Sequence, residues 1–444
     1  MKSKLHKTLR VISIVVLAFF TLSLYSFFVY DAAIKGKHSS FIAEHLTNFA
    51  NYPQLVKEVL TSKEVSNIPV TYLKLDDTFK DENHLSYDLF ALNSFWNSDK
   101  NEWNINLFNL KNDIIVYQWK LPKTHLDFSA TSYKFDNAAP RNCIALPEKN
   151  LIVSTDECAN LMRLDANSKI LWADHSHIYH HSLNLDADSN IWACTSDLNK
   201  GDKTPVKGIA TISGEIYRYQ DNYITLIDKN TGKTLFHKSV TEILIENNYS
   251  NFVYGLSDPD RINHDPIHLN DIEPVLKDSK YWKKGDVFIS IRHRSLILLY
   301  RPSTNKILRL IYGNFFNQHD IDITSDQEIS IFNNNYIFYE KDNSNLLCTV
   351  VDTLHSSEVI SYSLKDSTLQ KPFNKLFIQE NIWTETQGLY THISNGDLFV
   401  ESQNQGKLFI LNNKGVVYKK MLHAPLEGYA YYPNWIRIYE HLPF

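Results

Sequence analysis

The sequence predicts an all-β chain, a six-bladed β-propeller preceded by an N-terminal transmembrane helix and a short helical neck. Three observations lead there. An uncharged apolar run follows a basic start, helical periodicity stops near residue 71, and from that point a strand–turn–strand unit recurs six times.

The chain has 444 residues, long for one ordinary core and suited to one large repetitive domain. Apolar residues make up 43 %, enough for a packed interior, and the 25 Tyr and 24 Phe lean toward β structure. The net charge of −5 is of mixed sign with no basic stripe, which argues against nucleic acid as a partner.

Residues 1–10 carry Lys2, Lys4, Lys7 and Arg10, and read as a basic cytoplasmic tail. Residues 11–30, Val11 to Tyr30, contain no charge. About twenty apolar residues span a bilayer core as a helix. The expectation is a signal anchor that holds a single-pass membrane protein with its propeller in the periplasm or outside. A cleaved signal peptide is the alternative, but the run is long for one and no clear small-residue cleavage site follows. Residues 31–70 form the helical neck, with Phe41, Ile42, His45, Leu46 and Phe49 on one face.

The propeller takes residues 71–444. Its repeats begin near residues 94, 147, 188, 284, 326 and 395, and the copy at 188–238 holds an insertion. Segments such as PEKNLIVSTDECANLMRLDANSKILW and KGDVFISIRHRSLILLYRPSTNKILRLI alternate short strands with Asn/Asp/Gly turns. Such a unit cannot bury both faces alone, and radial stacking solves this while leaving only short edges. A pair of β-sandwiches fits the wide, regular spacing less well. Cys143, Cys158, Cys194 and Cys348 form no C-x-x-C pair. Cys143 and Cys158 are close enough in sequence to pair across neighbouring strands, but buried small hydrophobes is the preferred reading.

The innermost strand of each blade lines the channel. Counting seven residues back from the turn after that strand gives His181 from Asp188, His319 from Asp326, Arg141 from Glu148 and Gly388 from Asn395. In the fourth copy the inner segment is longer, and His268 heads it. Three histidines at matched positions predict a cationic or proton-shuttling pocket at one mouth, because imidazole serves as nucleophile, acid or base near neutral pH. A histidine that merely caps a strand is the bland reading for each alone. The stretch His175, His177, His180, His181 invites a metal reading, but carboxylate partners are scarce beyond Asp174, and no metal or other cofactor is expected.

At these residues the sequence resembles the bacterial arylsulfotransferases that work without the nucleotide donor PAPS. Four motifs carry the resemblance, in order over about residues 130 to 420: His181 at an inner strand, Ile267-His268-Leu269-Asn270-Asp271, Ser290-Ile291-Arg292-His293, and Gln318-His319-Asp320 followed by Ile331-Phe332-Asn333-Asn334. The resemblance implies a six-bladed propeller and ping-pong sulfuryl transfer from an aryl sulfate to a phenol. It implies that His319 attacks sulfur to give a sulfohistidine, that Arg292 and His268 balance oxygen charge, and that His181 moves the proton. Asn270 and Gln318 are expected in the substrate site, joined by Arg141 from its blade position. The family's better-known members are secreted with an extra N-terminal β domain, where this chain has an anchor and neck, and Asp320 after the Gln-His pair alters the pocket's charge. The competing expectation is a non-catalytic envelope propeller that binds an anion or scaffolds a partner.

Overall fold

A computed structural model describes residues 12–26, 69, 71–129, 134–197, 206–210, 214, 216–255, 265–336 and 356–444. The chain divides into two units, Met1–Ile68 and Pro69–Phe444. In the first, residues 12–26 are helical with every side chain but Tyr25 exposed. The fifteen described residues of this helix rise about 22 Å. Among the described residues no helix is long and apolar enough to cross a membrane, and residues 11 and 27–30 of the expected span lie outside them. The expected basic tail over 1–10 and, but for residue 69, the expected neck lie outside the described residues.

The second unit is a six-bladed β-propeller. Its blades, from inner to outer strand, begin with Arg437–Tyr439, Phe90–Asn97, Glu102–Asn109 and Ile114–Lys120. The second blade holds Pro140–Leu146, Asn150–Thr155, Leu161–Leu164 and Ile170–Asp174. His177–Leu185, Ile191–Asp197, Tyr223–Ile227 and Thr234–Ser239 build the third, whose insertion is the hairpin Val206–Ala210 with Ile216–Gln220. The fourth runs Leu269–Pro274, Val287–Ile291, Leu296–Arg301 and Lys306–Ile311. The fifth runs Ile321–Ser325, Glu328–Asn333, Glu358–Ser363 and Leu369–Gln370. Leu389–His392, Leu398–Ser402, Lys407–Asn412 and Gly415–Met421 complete the sixth, with Glu82–Asn83 added at its outer edge.

Five of the sequence copies hold the second to fourth strands of their blades, and the blades are four-stranded because an inner strand precedes each copy. The first copy is different. Its inner strand comes from the far end of the chain, where Arg437–Tyr439 pairs with Phe90–Leu92. This closes the ring, and the Glu401 carboxylate helps by accepting from the N–H groups of Trp435 (3.2 Å) and Ile436 (2.7 Å).

Alternation on each strand explains the packing. In the fourth blade, Val287, Ile289 and Ile291 with Leu296, Leu298 and Tyr300 face the third blade's Trp192, Cys194 and Ile224. Phe288, Ile297 and Leu299 point the other way, against Ile329, Ile331 and Ile360 of the fifth. Both faces are therefore buried, and the central strands read as continuous apolar runs although their side chains still alternate. Each fully buried side chain of this size contributes about 1.5–3 kcal/mol. The turns are set by local chemistry: Asp165, Asp186 and Asp228 each accept backbone N–H bonds from residues two to four further on. Cys143, Cys158 and Cys194 are free and buried, and burial pushes all three thiols up. Cys348 lies outside the described residues.

Candidate active site at the propeller mouth

The matched positions fall where the inner strands begin. His268, His319 and Gly388 stand one or two residues before their strands, while Arg141 and His181 sit at bulges that skip Asn142–Cys143 and His181–Ser182. His181 (φ 57°) and His268 (φ 49°) adopt the left-handed conformation, as does Asn142 (φ 45°). A bulge re-aims a side chain, and strain of this kind clusters at functional sites.

The re-aimed rings meet. The His181 centroid lies 5.3 Å from that of His268, nearly edge-on, and 6.0 Å from that of His319. Trp435, arriving with the closing strand, walls the group at 5.7 Å from His181 and 6.3 Å from His319.

The tautomer of His319 follows from its neighbours. Asn334 donates through Nδ2 to the carbonyls of Thr384 (2.9 Å) and Gln387 (2.7 Å), which turns its Oδ1 toward His319. That oxygen lies 2.6 Å from His319 Nδ1 and can only accept, so Nδ1 carries the proton. Nε2 keeps the lone pair, which accepts from the Gln387 N–H at 2.9 Å. Burial, then the Arg292 charge, push His319 well below the usual imidazole range, so its ring is neutral at neutral pH.

Arg292 follows the second strand of blade four and is only 4 % exposed. Its guanidinium donates to His293 Nε2 (3.0 Å) and to the Glu385 carbonyl (3.5 Å). Burial lowers its pKa to about 10, which leaves the cation intact at neutral pH. His181 is different in character. Its Nδ1 lies 2.9 Å from Nδ1 of His180. Burial, then His180, His268, His319 and Arg141, push it well below the imidazole range. Arg141 is ion-paired to Asp156 at 2.8 Å, and Asp156 also accepts the His181 N–H at 3.4 Å.

Asn270 and Gln318 are completely buried and tie blades together. Asn270 donates to the Gln318 carbonyl (2.7 Å), while Gln318 donates to Ser290 Oγ and the Ile291 and Leu296 carbonyls. Asp320 accepts the Tyr390 N–H of blade six at 3.3 Å. Of the other early histidines, His175 bonds the Ala159 carbonyl and His177 stacks on His237, so they do not join the mouth group.

Four residues here were not singled out for a role from sequence: Asp265, Asn334, Gln387 and Trp435. Asp265 stands three residues before His268, a spacing that a short Asx turn would suggest. Its Oδ2 lies 2.5 Å from His268 Nδ1 and its Oδ1 accepts the His268 N–H. His293 stacks on His268 with ring centres 4.3 Å apart. Asp265, His268 and His293 gather ligand atoms within 4.8 Å, the geometry of a possible cation site. The donor set does not favour one. Both Nδ1 atoms are directed at oxygens of Asp265, and the Arg292 cation lies 3.0 Å from His293 Nε2.

Further along the same inner strands the channel changes sign. Asp271, Glu273, Asp320 and Asp322 stand on blades four and five, and burial pushes all four carboxyls up. Arg437 reaches from blade one to the carbonyls of Cys143 (3.1 Å) and Leu183 (2.5 Å) on blades two and three.

No curated protein matches the chain. Solved structures similar to it include a protein of unknown function from Bacteroides caccae, at 11 % identity and TM-score 0.45, covering 79 % of this chain and 98 % of that one. Others are a putative 6-phosphogluconolactonase from Bacteroides fragilis NCTC 9343 (9 %, TM-score 0.36, 81 % and 100 %) and virginiamycin B lyase from Staphylococcus aureus (9 %, TM-score 0.35, 68 % and 94 %). Likeness at this level carries nothing about activity. The family model described as Arylsulfotransferase (ASST) matches residues 173–421, more than half of the sequence and all three mouth histidines, and the chain belongs to that family.

Proposed function

We propose that the chain moves a sulfuryl group from an aryl sulfate ester to a phenolic acceptor by a ping-pong route, with His319 as the nucleophile. The observation that supports this most is the state of His319: a buried, neutral ring held as the Nδ1–H tautomer by Asn334, beside a buried Arg292 cation. A neutral imidazole whose other nitrogen is anchored is an activated nucleophile. In this reading the Nε2 lone pair attacks sulfur, the S–O bond to the aryl group breaks, and its electron pair leaves with the phenolate. Arg292 balances charge on the non-bridging oxygens, where it concentrates in the transition state. The acceptor oxygen then attacks the sulfohistidine and returns the electron pair to Nε2.

The Gln387 N–H has a part in both states. It occupies the Nε2 lone pair before donor binds, and once sulfur is bonded there it lies beside the sulfuryl oxygens. The same contact is the one observation that favours the competing reading, an anion-binding propeller without turnover, because a lone pair held by N–H does not attack.

The uncharged run Val11–Tyr30 and its basic flank keep a membrane-anchored, outward-facing enzyme as part of the proposal, and carbonate extraction of membranes checks it. The chemistry is tested by incubating the full-length chain in mild detergent with 4-nitrophenyl sulfate and a phenol. The expected result is nitrophenol release and one sulfuryl group added to the wild-type mass in the absence of acceptor, with both lost in His319→Ala. Equal release by His319→Ala, or none by wild type with a range of aryl sulfates and phenols, sinks the proposal.

A further inference from the structure

We infer that Asp265 is the positioning residue that turns His268 into the proton carrier of the transfer, an inference that rests on the sulfuryl-transfer reading above. The phenolate that leaves the donor needs a proton, and the acceptor phenol must lose one. Among the described residues, the matched imidazoles at the mouth are His181, His268 and His319. His319 is spent as nucleophile, with Nδ1–H fixed on Asn334. His181 has its Nδ1 against His180 and, among the described residues, no carboxylate on its ring, and Asp156, which accepts its backbone N–H, is ion-paired to Arg141.

His268 is arranged differently. Asp265 makes two contacts with it, Oδ2 to the ring Nδ1 at 2.5 Å and Oδ1 to the backbone N–H at 2.9 Å. A carboxylate only accepts, so Nδ1 carries its proton and Nε2 is the nitrogen left for exchange. A carboxylate on one ring nitrogen fixes the tautomer and stabilises the imidazolium that forms when the other takes up a proton. The left-handed backbone at His268 (φ 49°) is held by the same turn. The carbonyl of Asp265 meanwhile accepts from His293 Nδ1 at 2.6 Å, which leaves His293 Nε2 to receive the Arg292 guanidinium. One residue thus orients the proton carrier through its side chain and the sulfate-binding cation through its backbone.

The step balances. As the S–O(aryl) bond breaks, His268 Nε2–H gives its proton to the phenolate oxygen and remains neutral with Nδ1–H on Asp265. In the second half-reaction the acceptor phenol returns a proton to Nε2 while its oxygen bonds to sulfur and the S–N bond to His319 breaks.

The test compares aryl sulfates that differ in leaving group. A nitrophenolate leaves without help, whereas an unsubstituted or alkyl-substituted phenolate needs protonation. For Asp265→Asn, which keeps an acceptor oxygen but removes the charge, the rate should fall on the order of a hundredfold with phenyl sulfate and only about threefold with 4-nitrophenyl sulfate. In a His268→Gln background the same substitution should add nothing, since Asp265 acts through that ring. In the free protein, 15N-histidine NMR should show His268 Nδ1 protonated in wild type whether or not Nε2 also carries the exchanging proton, and a mixture of tautomers in Asp265→Asn. Equal losses on all donors, an additive effect in the His268→Gln background, or an unchanged tautomer overturns the assignment. Asp265→Ser serves if Asp265→Asn does not fold, with the same leaving-group contrast expected. A wild-type chain that turns over no aryl sulfate overturns the transferase reading instead, and the NMR result stands apart from it.

Discussion

The mouth of the channel and its interior are built from the same two strands yet handle charge in opposite ways. His319 and Asp320 are adjacent in sequence, and both are pushed by burial toward their neutral forms, the imidazole downward and the carboxyl upward. At the mouth, neutrality leaves a lone pair, and polar neighbours aim it. Asn334 decides which nitrogen holds the proton, and Arg292 supplies a buried cation close by. In the interior, carboxyls whose pKa burial has raised act as structural links. Asp271 accepts from Asn184 of blade three (3.1 Å) and from the Ile321 N–H of blade five (2.9 Å). Burial alone therefore does not make a site. What marks the mouth is an imidazole of fixed tautomer beside a buried cation.

That contrast can be broken at several points. The largest effect is expected at Arg292. Replacing it by Met removes the buried cation, and the rate of sulfuryl transfer should drop by about 10²–10³. Presteady-state release of nitrophenol measures it, and a loss of less than tenfold would remove Arg292 from the charge-balancing role.

Next is the pH dependence of the donor half-reaction. The folded pKa of His319 is lowered, so the attacking form is present above that value and lost only as pH falls through it. Formation of the sulfuryl-enzyme should therefore stay level from pH 8 to about 6, where an ordinary imidazole, with pKa about 6.5, would already be more than half protonated. In Arg292→Met the residual activity should show its acid limb moved upward, because the second cause of the shift is gone. A wild-type limb near 6.5 would show that the ring is not desolvated as described.

The smallest effect belongs to the interior. Asp322 is pushed up to about 7, against about 3.9 in an unfolded chain. The folded protein binds that proton more tightly, so the associated stability is present in acid and lost as pH rises from about 4 through about 7. Asp322→Asn should leave transfer activity unchanged and raise Tm at pH 8 by on the order of a few degrees, with a smaller rise at pH 5. A large loss of activity in this variant would join the interior to the chemistry and undo the comparison.

Much of the architecture was legible because propeller blades repeat a local pattern. The polar turns that end the inner strands are visible at Glu148, Asp188, Asp326 and Asn395; seven residues back from Asp188 and Asp326 stand His181 and His319, and His268 heads the longer inner segment of the fourth copy. Asn270 and Gln318 were legible as polar residues in motifs, but not as ties between blades, since that depends on which neighbour lies across the gap. Asn334 lay within a motif and Asp265 beside one, yet neither showed its role. A hydrogen-bonding role needs a partner's position, and Asn334's partners Thr384 and Gln387 are about fifty residues away.

By itself the sequence determined the blade count, the strand ends and the residue types at the mouth, because turns, alternation and spacing are local properties of the chain. Only the tertiary structure decided three things. The ring is closed by Arg437–Tyr439, the His319 proton sits on Nδ1, and Asp265 rather than Asp156 holds a mouth imidazole. Each of these turns on groups meeting in space, and two of them on which hydrogen-bond partner is left when the others are already taken.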